Sequence, residues 1–490
     1  MQMIIANDNN LILFGLYKIN EFLKNYDKSE FESLNLKKEF NDNMFNYLFN
    51  ILEKKYKENN FIQLLTLIVN KLCEYNSQYC ILLINHIKKI MNFIIAINSE
   101  KKKNNFIIIE LFMIVNNIFL LENFDQYKII LSNDNCQLLK IIINEIYDLS
   151  NNDSIIIPKI FISILLSILN NIFINRIFFS NIFKNVDKIK HKERNIFDAI
   201  KYIIKNKITF ELNESAIICL YNFIEYYMEF KEKLTEDEQD EINFRLCDMN
   251  IPKFIIPFIF DNRNNIINNE LKIYIFKILI NTINIGNPEY WDNLIEKKLV
   301  VQLEKLQNFL LNINIDNNSS SIFEYHILLI FNLVSTEFED VINNIAIKSS
   351  CISNLFKFFN SNNIWVNKQL DLFLNILHGL IKNKCKYRKR VCNFRYVKTL
   401  LISEGICEFF KKLLVDEKCL NQDLIKNIFI DILVLIKYYE EFDENKNNNI
   451  FLLHLQKIGM NEVINNYKSK INYSNELFSI ISEVSDKLLK

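Results

Sequence analysis

Apolar and polar positions along the chain follow a cycle of long, short and medium helical patterns. Residues 321–334 (SIFEYHILLIFNLV) carry apolar side chains at helical spacing. Residues 338–348 (FEDVINNIAIK) give a short amphipathic pattern, and residues 352–359 (ISNLFKFF) give a second apolar one. Polar residues separate the three segments, and Trp365 opens the next long pattern. The cycle therefore predicts a unit of three helices that recurs along the chain.

The long patterns share one position near their C-terminal third, which we call the anchor position. Its occupants are Asn70, Asn117, Asn171, Asn222, Asn281, Asn332, Gly379 and Lys437. Successive anchors lie 47, 54, 51, 59, 51, 47 and 58 residues apart. A period of about 40–47 residues is typical of armadillo and HEAT units, which bury their apolar faces on their neighbours. Insertions in loops account for the longer intervals.

Short signals predict where helices begin, bend and end. Thr235 followed three residues later by Glu238 is a capping-box pattern. Gly405 and Gly459 each interrupt an amphipathic segment and predict a hinge between two short helices. Pro158 falls in the first turn of a long helix, where its missing N–H costs little. The last helix should bury one stripe and cap the final unit. That stripe consists of Leu477, Ile481, Val484 and Leu488.

Composition restricts the fold class. Half of the 490 residues are apolar, but there are five glycines and four prolines in all. So few turn-forming residues exclude sandwiches, barrels and Rossmann-type folds. We predict an all-α fold, a right-handed armadillo-type (ARM/HEAT-like) α-solenoid. Residues 45–490 are expected to form about nine units in one continuous domain, and residues 1–44 a helical segment and candidate cap.

Charge and targeting signals narrow the class of partner. The 58 basic and 58 acidic residues cancel, whereas a nucleic-acid-binding protein normally carries a basic excess. The N-terminal sequence lacks the plan of a signal peptide. The most apolar run, residues 155–174, is interrupted by polar residues and is not expected to span a membrane. The ten cysteines show no CxxC spacing, which indicates a reducing compartment. We expect a soluble protein of the cytoplasm, the nucleus or both.

Catalytic signals are absent from the sequence. HExxH, GxxxxGK[ST] and GxSxG do not occur, and the five histidines are far apart. With five glycines, a phosphate-binding loop is nearly excluded. We therefore expect no enzymatic activity, no metal site and no cofactor.

Several long-helix segments resemble armadillo-repeat proteins and, among them, the importin alpha family. They are IVNNIF (residues 114–119), ILNNIF (168–173), CLYNFI (219–224) and LIFNLV (329–334), together with LISEGICEFFKKLL (401–414). In that family, third helices line a concave groove, and their asparagines hold the backbone of an extended basic peptide. The resemblance implies a nuclear-import adaptor that binds a peptide or protein partner. The implied groove residues are Asn117, Asn171, Asn222, Asn281 and Asn332.

The chain departs from the family at two features. The family carries Trp four residues before the groove Asn, and no anchor here is preceded by Trp at that distance. The residues found there are Thr66, Met113, Ser167, Ile218, Lys277, Leu328, Asn375 and Leu433. Residues 1–44 are mixed in charge and lack the basic segment that binds importin beta. A basic signal peptide should therefore bind weakly, and a partly apolar peptide should bind better.

Other functions are also compatible with the sequence. The chain fits an armadillo scaffold of a cytoskeletal or membrane-associated complex, or a HEAT-like regulatory subunit of an enzyme. The basic stretch from Lys382 to Lys398 fits a solvated loop. It also fits a site for RNA, anionic lipid or an acidic partner, or a nuclear-targeting patch.

Overall fold

The fold is built from two compact units, residues 1–242 and 243–490, and each is described by itself. The computed structural model describes residues 9–25, 30, 41–55, 59–84, 86–98, 105–120, 141–146, 156–175, 187–189, 192–194, 196–206, 209–248, 254–259, 269–285, 304–305, 307–308, 317–336, 339–361, 367–382, 395–416, 421–442, 449–469 and 474–489.

The first unit is helical, with one short β-hairpin among its described residues. Its helices are α1 Asn9–Lys24, α2 Asp42–Lys55, α3 Asn59–Tyr75, α4 Ser77–Ile84, α5 Ile87–Asn98, α6 Asn105–Phe119, α7 Ile156–Ile174, α8 Ile196–Asn206, α9 Phe210–Phe230 and α10 Glu236–Asp248, which ends beyond residue 242. A 3-10 turn, Lys231–Lys233, separates the last two. The hairpin pairs β1 Asp187–Ile189 with β2 Lys192–Arg194 in antiparallel register.

Five long helices form a continuous stack in the first unit. α1 packs on α3, α3 on α6, α6 on α7 and α7 on α9. α6 and α7 run in the same direction, because residues later in α6 contact residues later in the segment that contains α7. The rings of Phe112 and Phe161 lie 5.3 Å apart, and further along the pair Asn175 Nδ2 donates to the carbonyl of Phe119 at 3.2 Å. Each long helix thus repeats the position of the one before it, one step along the stack.

The second unit repeats the arrangement. Its helices are α11 Asn269–Ile285, α12 Asn317–Ser335, α13 Glu339–Asn343, α14 Cys351–Ser361, α15 Asn367–Lys382, α16 Arg395–Ser403, α17 Ile406–Val415, α18 Gln422–Phe442, α19 Ile450–Lys457, α20 Met460–Lys468 and α21 Asn475–Leu489. A 3-10 turn covers Ile256–Ile259, and a π turn, Asn344–Lys348, continues α13. The long helices α11, α12, α15, α18 and α21 pack successively on one another.

The two hinge glycines adopt the conformation that the sequence predicts. Gly405 and Gly459 have φ values of 88° and 74°, in the left-handed region that residues with a side chain rarely occupy. Each lies between two short helices, α16 and α17 in one case and α19 and α20 in the other. Lys411 Nζ donates to the carbonyl of Ile458, next to the second hinge. Both predicted hinges are confirmed.

The predicted helix start and final stripe are also confirmed. The backbone N–H of Glu238 donates to Thr235 Oγ1 at 3.3 Å, and the N–H of Thr235 donates to Glu238 Oε2 at 3.1 Å. These are the reciprocal bonds of a capping box. Helix α21 packs on α18, α19 and α20 and buries its apolar stripe. The buried members are Leu477, Ile481, Val484 and Leu488.

This succession of packed helices confirms the predicted all-α armadillo or HEAT solenoid. The short hairpin is an exception that the sequence did not predict. The six hairpin residues read DKI and KER and lack the apolar–polar alternation that signals a strand. The boundary at residue 44, the count of about nine units and the single domain stay predictions.

Several helices of the described segments are strongly apolar. Within those segments, no helix taken singly combines the length and apolarity of a membrane span. A bent pair of helical segments, Gln78–Ile84 and Lys89–Ile97, has the length and apolarity of a membrane span only when the two segments are added together.

Candidate functional site

The anchor asparagines of the first unit connect successive long helices through their side chains. Each uses its amide N–H to reach an asparagine oxygen on the preceding helix. The bonds run from Asn117 Nδ2 to Asn70 Oδ1 at 2.8 Å, from Asn171 Nδ2 to Asn116 Oδ1 at 3.3 Å, and from Asn222 Nδ2 to Asn170 Oδ1 at 2.5 Å. The structure therefore brings three of the five predicted groove residues into one row. Their binding of a peptide stays a prediction.

The amide oxygens of this row have acceptor capacity that the described residues do not use. Asn117, Asn171 and Asn222 are half-buried. Among the residues that the structure describes, no group donates a hydrogen bond to their Oδ1 atoms. An Asn oxygen can accept up to two hydrogen bonds. The row thus presents three acceptors, one on each of three neighbouring helices.

The row begins differently at α3, where Asn70 is a structural residue. Asn70 is buried, accepts from Asn117 and donates to Glu110 Oε2 at 3.0 Å. Burial raises the pKa of Glu110, and the hydrogen bond from Asn70 opposes that change. Thr66, four residues before Asn70, is fully buried and donates to the carbonyl of Ile62 at 2.9 Å. Neither side chain is accessible to a ligand.

One member of the series was missed by the sequence analysis. Asn20 lies on α1, fifty residues before Asn70, and is buried where α1 packs on α3. The signal was present, since residues 19–23 (INEFL) match residues 69–73 (VNKLC) in their apolar pattern.

Exposed apolar side chains flank the asparagine row on α6 and α7. Residues eleven before and three after an anchor lie within about 60° of it around a helix, because each residue turns by about 100°. For α6 these residues are Phe106 and Leu120, which directly follows the helix, and they are 58% and 57% exposed. On α7 they are Ile160 and Ile174, which are 52% and 53% exposed. Two neighbouring helices therefore offer the same apolar positions to solvent.

Helix α9 carries acidic residues at the same two positions. Glu211 lies eleven residues before Asn222 and is exposed, and Glu225 lies three residues after it and is half-buried. The sequence of α9 contains four glutamates and no lysine or arginine. We call the positions three residues after the anchors on α6, α7 and α9 the flanking row. It consists of Leu120, Ile174 and Glu225.

The second unit has no such apolar row at the corresponding positions. Its residues eleven before and three after the anchors are Glu270, Ser321, Lys368, Lys426, Asn284, Ser335, Lys382 and Glu440. Three of them form ion pairs with a neighbouring long helix. Lys368 pairs with Glu324, Lys426 Nζ with Glu476 Oε1 at 2.7 Å, and Glu440 Oε2 with Lys487 Nζ at 2.6 Å.

The anchors of the second unit also differ from those of the first. Asn281 is half-buried on α11, and Asn332 Nδ2 donates to the carbonyl of Leu328 within its own helix at 2.8 Å. A Cβ added at Gly379 would lie 3.1 Å from Val334 Cγ1, so glycine permits close packing of α15 on α12. Lys437 Nζ lies 2.8 Å from Glu483 Oε1 on α21. The structure does not join Asn281 and Asn332 to each other.

Several ionisable groups of the second unit are buried. His378 Nδ1 lies 2.6 Å from Asp431 Oδ1, and burial raises the pKa of Asp431 to about 6 against the effect of that bond. Burial also raises the pKa of Cys351 to about 11 and that of Cys407 to about 12. Among the described residues, no group of three His, Cys, Asp or Glu side chains has the arrangement of a metal site.

The basic stretch from Lys382 to Lys398 falls mostly outside the described residues. At its two ends, Lys382 is the last residue of α15, and Lys398 Nζ lies 4.5 Å from the centre of the Tyr438 ring. The predicted alternatives for this stretch stay predictions.

Comparison with known proteins identifies no family for this chain, but it finds solved structures with similar helix arrangements. No known family profile and no curated protein sequence matches the chain. Solved structures with similar helix arrangements include one from work on the interaction between cadherin and beta-catenin, at 10% identity and a TM-score of 0.37, covering 100% of this chain and 99% of that one. The SYS-1/POP-1 complex matches at 12% identity and a TM-score of 0.47, covering 99% and 96%. Importin beta matches at 9% identity and a TM-score of 0.30, covering 100% and 51%. The fold assignment therefore depends on the helix packing described above.

Proposed function

We propose that the protein is a non-enzymatic adaptor that binds an extended segment of a partner protein along the long helices of its first unit. The observation that carries the proposal is the flanking row beside the asparagine row. Leu120 and Ile174 are large apolar side chains, and both are more than half exposed. Each lies one turn from a half-buried asparagine whose oxygen accepts no hydrogen bond from the described residues. Apolar contact area beside oriented backbone partners is what an extended peptide requires.

The spacing of the row suits an extended chain. Packed helices lie about 8–10 Å apart, and an extended peptide advances about 3.3 Å per residue. One peptide would therefore meet successive helices at every third residue. The backbone N–H groups at those residues would donate to Asn117, Asn171 and Asn222, and the adjacent side chains would contact the flanking row.

A displayed peptide library tests the proposal without knowledge of the partner. Random peptides of about 12 residues, long enough to cross three helices, are selected on the full chain. A synthetic copy of the selected peptide is then titrated by fluorescence anisotropy. The Leu120→Asp, Ile174→Asp double variant should weaken binding at least tenfold, which corresponds to about 1.4 kcal/mol.

A matched control comes from the second unit. Asn284 and Ser335 occupy the corresponding positions after Asn281 and Asn332 and are exposed. An Asn284→Asp, Ser335→Asp double variant adds the same charge there and should leave the affinity unchanged. Selected peptides that bind the Leu120 and Ile174 variant as tightly as the wild type would overturn the proposal.

The finer proposal is a nuclear-import carrier that acts between cytoplasm and nucleus, and it rests on the importin-alpha-like segments of the sequence. No Trp precedes the anchors to stack on Lys stems, and Lys277 occupies one of those positions. Lys277 Nζ already lies over the rings of Tyr274 and Tyr325, at 6.0 and 5.8 Å from their centres. A wholly basic signal peptide should therefore bind with a Kd weaker than about 1 μM, equivalent to about 8 kcal/mol. Micromolar or tighter binding, lost in an Asn171→Ala, Asn222→Ala variant, would instead favour an importin-like grip.

A further inference from the structure

The flanking row changes character between its second and third helix, and this change bears on the chemistry of the partner. Leu120 on α6 and Ile174 on α7 are apolar, and Glu225 on α9 is acidic. The positions eleven residues before the anchors repeat the order, with Phe106, Ile160 and Glu211. Two independent rows thus show the same order of apolar, apolar and acidic.

We propose that the first unit selects a partner segment with apolar residues at one end and lysine or arginine at the other. This inference rests on the proposed function and specifies its ligand. The apolar end lies over Leu120 and Ile174, and the basic end lies over Glu225. Because α9 has no lysine or arginine, its face attracts cations and disfavours a carboxylate at the same place.

The segment lies along the flanking row and not along the row that starts at Phe106. The two rows are fourteen residues apart on each helix, or roughly 21 Å, which is too far for one extended strand to occupy both. The flanking row is about 4.5 Å from the anchors. It therefore places the backbone of the segment beside the oxygens of Asn117, Asn171 and Asn222.

The row that starts at Phe106 has a basic residue beside it in the sequence. Lys159, at the start of α7, immediately precedes Ile160, which belongs to that row. The flanking row has no basic residue next to it on α6, α7 or α9.

Three synthetic peptides test the charge preference. They share an apolar half with leucine at every third residue and differ in the other half, which carries three lysines, three serines or three glutamates at the same spacing. Each is made in both orders, because the direction of the chain is not fixed. Anisotropy titration on the full chain should give the lysine peptide at least a tenfold lower Kd than the glutamate peptide. High salt should reduce that ratio.

Conservative variants assign the preference to a residue. Glu225→Gln should reduce the lysine-to-glutamate ratio several-fold, whereas Glu232→Gln, an exposed glutamate outside the helix face, should leave it unchanged. Loss of the ratio in Glu211→Gln but not in Glu225→Gln would overturn the placement. Equal binding of all three peptides, still weakened by the Leu120→Asp, Ile174→Asp change, would overturn the charge selection and leave the proposed function standing. If none of these three peptides binds while a library-selected peptide does, the inference fails and the proposed function stands.

Discussion

The two units stack long helices in the same way but join them with different chemistry. In the first unit, neutral asparagine pairs connect α3, α6, α7 and α9. In the second unit, charged pairs connect the later helices, including Lys437 with Glu483 and Glu440 with Lys487. The first unit leaves apolar side chains exposed beside its connections, and the second presents polar or paired residues at the same positions. The same helix packing therefore presents a candidate binding face in the first unit and a polar, partly ion-paired face in the second.

This difference implies that the second unit responds to pH and salt through its helix contacts, and that the asparagine row does not. An amide has no charge to titrate, so the hydrogen bonds between asparagines persist over the whole working range of pH, whereas the bond from Asn70 to Glu110 involves a titratable carboxyl. The first unit does contain a buried histidine, His86, whose pKa is lowered by burial, but it lies before α5 and outside the asparagine row. The predictions below separate these contributions.

The largest expected effect concerns His326, which is fully buried on α12 against the ring of Phe276. Burial lowers the pKa of His326 to about 3. The unfolded chain takes up this proton below about pH 6.5, and the folded chain does not, so acid destabilises the fold. Between pH 7 and pH 4 the loss should be about 3 kcal/mol. Hydrogen exchange of residues 317–335 at the two pH values measures it.

A variant isolates this effect. His326→Leu keeps a similar volume and removes both buried ring nitrogens, neither of which has a hydrogen-bond partner among the described residues. The acid-dependent loss should disappear and stability at pH 7 should rise. An unchanged pH dependence of exchange in α12 would contradict the assignment.

The second effect has the opposite sign and comes from Asp431. Its pKa of about 6 lies above the ordinary value of 3.8, so the folded chain holds this proton more tightly than the unfolded chain. The stability that it contributes is complete below about pH 4 and is lost as the pH rises through 6. Asp431→Asn should remove this loss, on the order of 2–3 kcal/mol. Urea unfolding between pH 4 and 7 measures the change, and equal pH profiles for variant and wild type would refute it.

The third prediction compares two asparagines. Asn70→Ala deprives both Glu110 and Asn117 of a partner, so it should cost about 1–3 kcal/mol. Asn332→Ala removes a bond within one helix, to the carbonyl of Leu328, and should cost about 1 kcal/mol or less. Urea denaturation of both variants gives the two values. A cost for Asn332→Ala as large as that for Asn70→Ala would show that the asparagine row contributes nothing beyond a local bond.

The smallest effect is expected for the exposed pair Lys437 and Glu483, whose side chains are each about half exposed. Lys437→Gln should cost about 0.2–1 kcal/mol at low salt and less at about 1 M salt. Thermal unfolding at the two salt concentrations measures it. A cost that persists at high salt would mean that packing of the lysine stem, and not its charge, is what the variant removes.

The sequence predicted the long helices and the two hinges because each depends on local signals. Apolar spacing defined the helices around Asn117 and Asn332, and the glycines at 405 and 459 indicated the left-handed turns. It did not predict that Asn116 and Asn170, one residue before the anchors, would be the acceptors. Two adjacent asparagines look alike in a sequence, and the rotation of the neighbouring helix decides which one is reached. The hairpin at residues 187–194 was missed because its pairing depends on no apolar pattern.

The sequence likewise did not predict the flanking row, because it does not show which of these residues are exposed. Leu120 and Ile174 read as ordinary members of apolar helices, and only packing shows which apolar residues remain outside. This distinction matters for binding, because buried leucines stabilise the fold whereas exposed ones can contact a partner.

The most direct test of the central claim is photo-crosslinking from matched positions in the two units. A photoreactive residue replaces Leu120 in one version of the full chain and Ser335 in another, three residues after the anchors Asn117 and Asn332 respectively. Each is irradiated with the apolar–lysine peptide, and the crosslinked product is measured by mass spectrometry. We expect crosslinking from position 120 that unlabelled peptide competes away, and none above background from position 335. Equal yields from the two positions, or product from position 335 alone, would contradict the account.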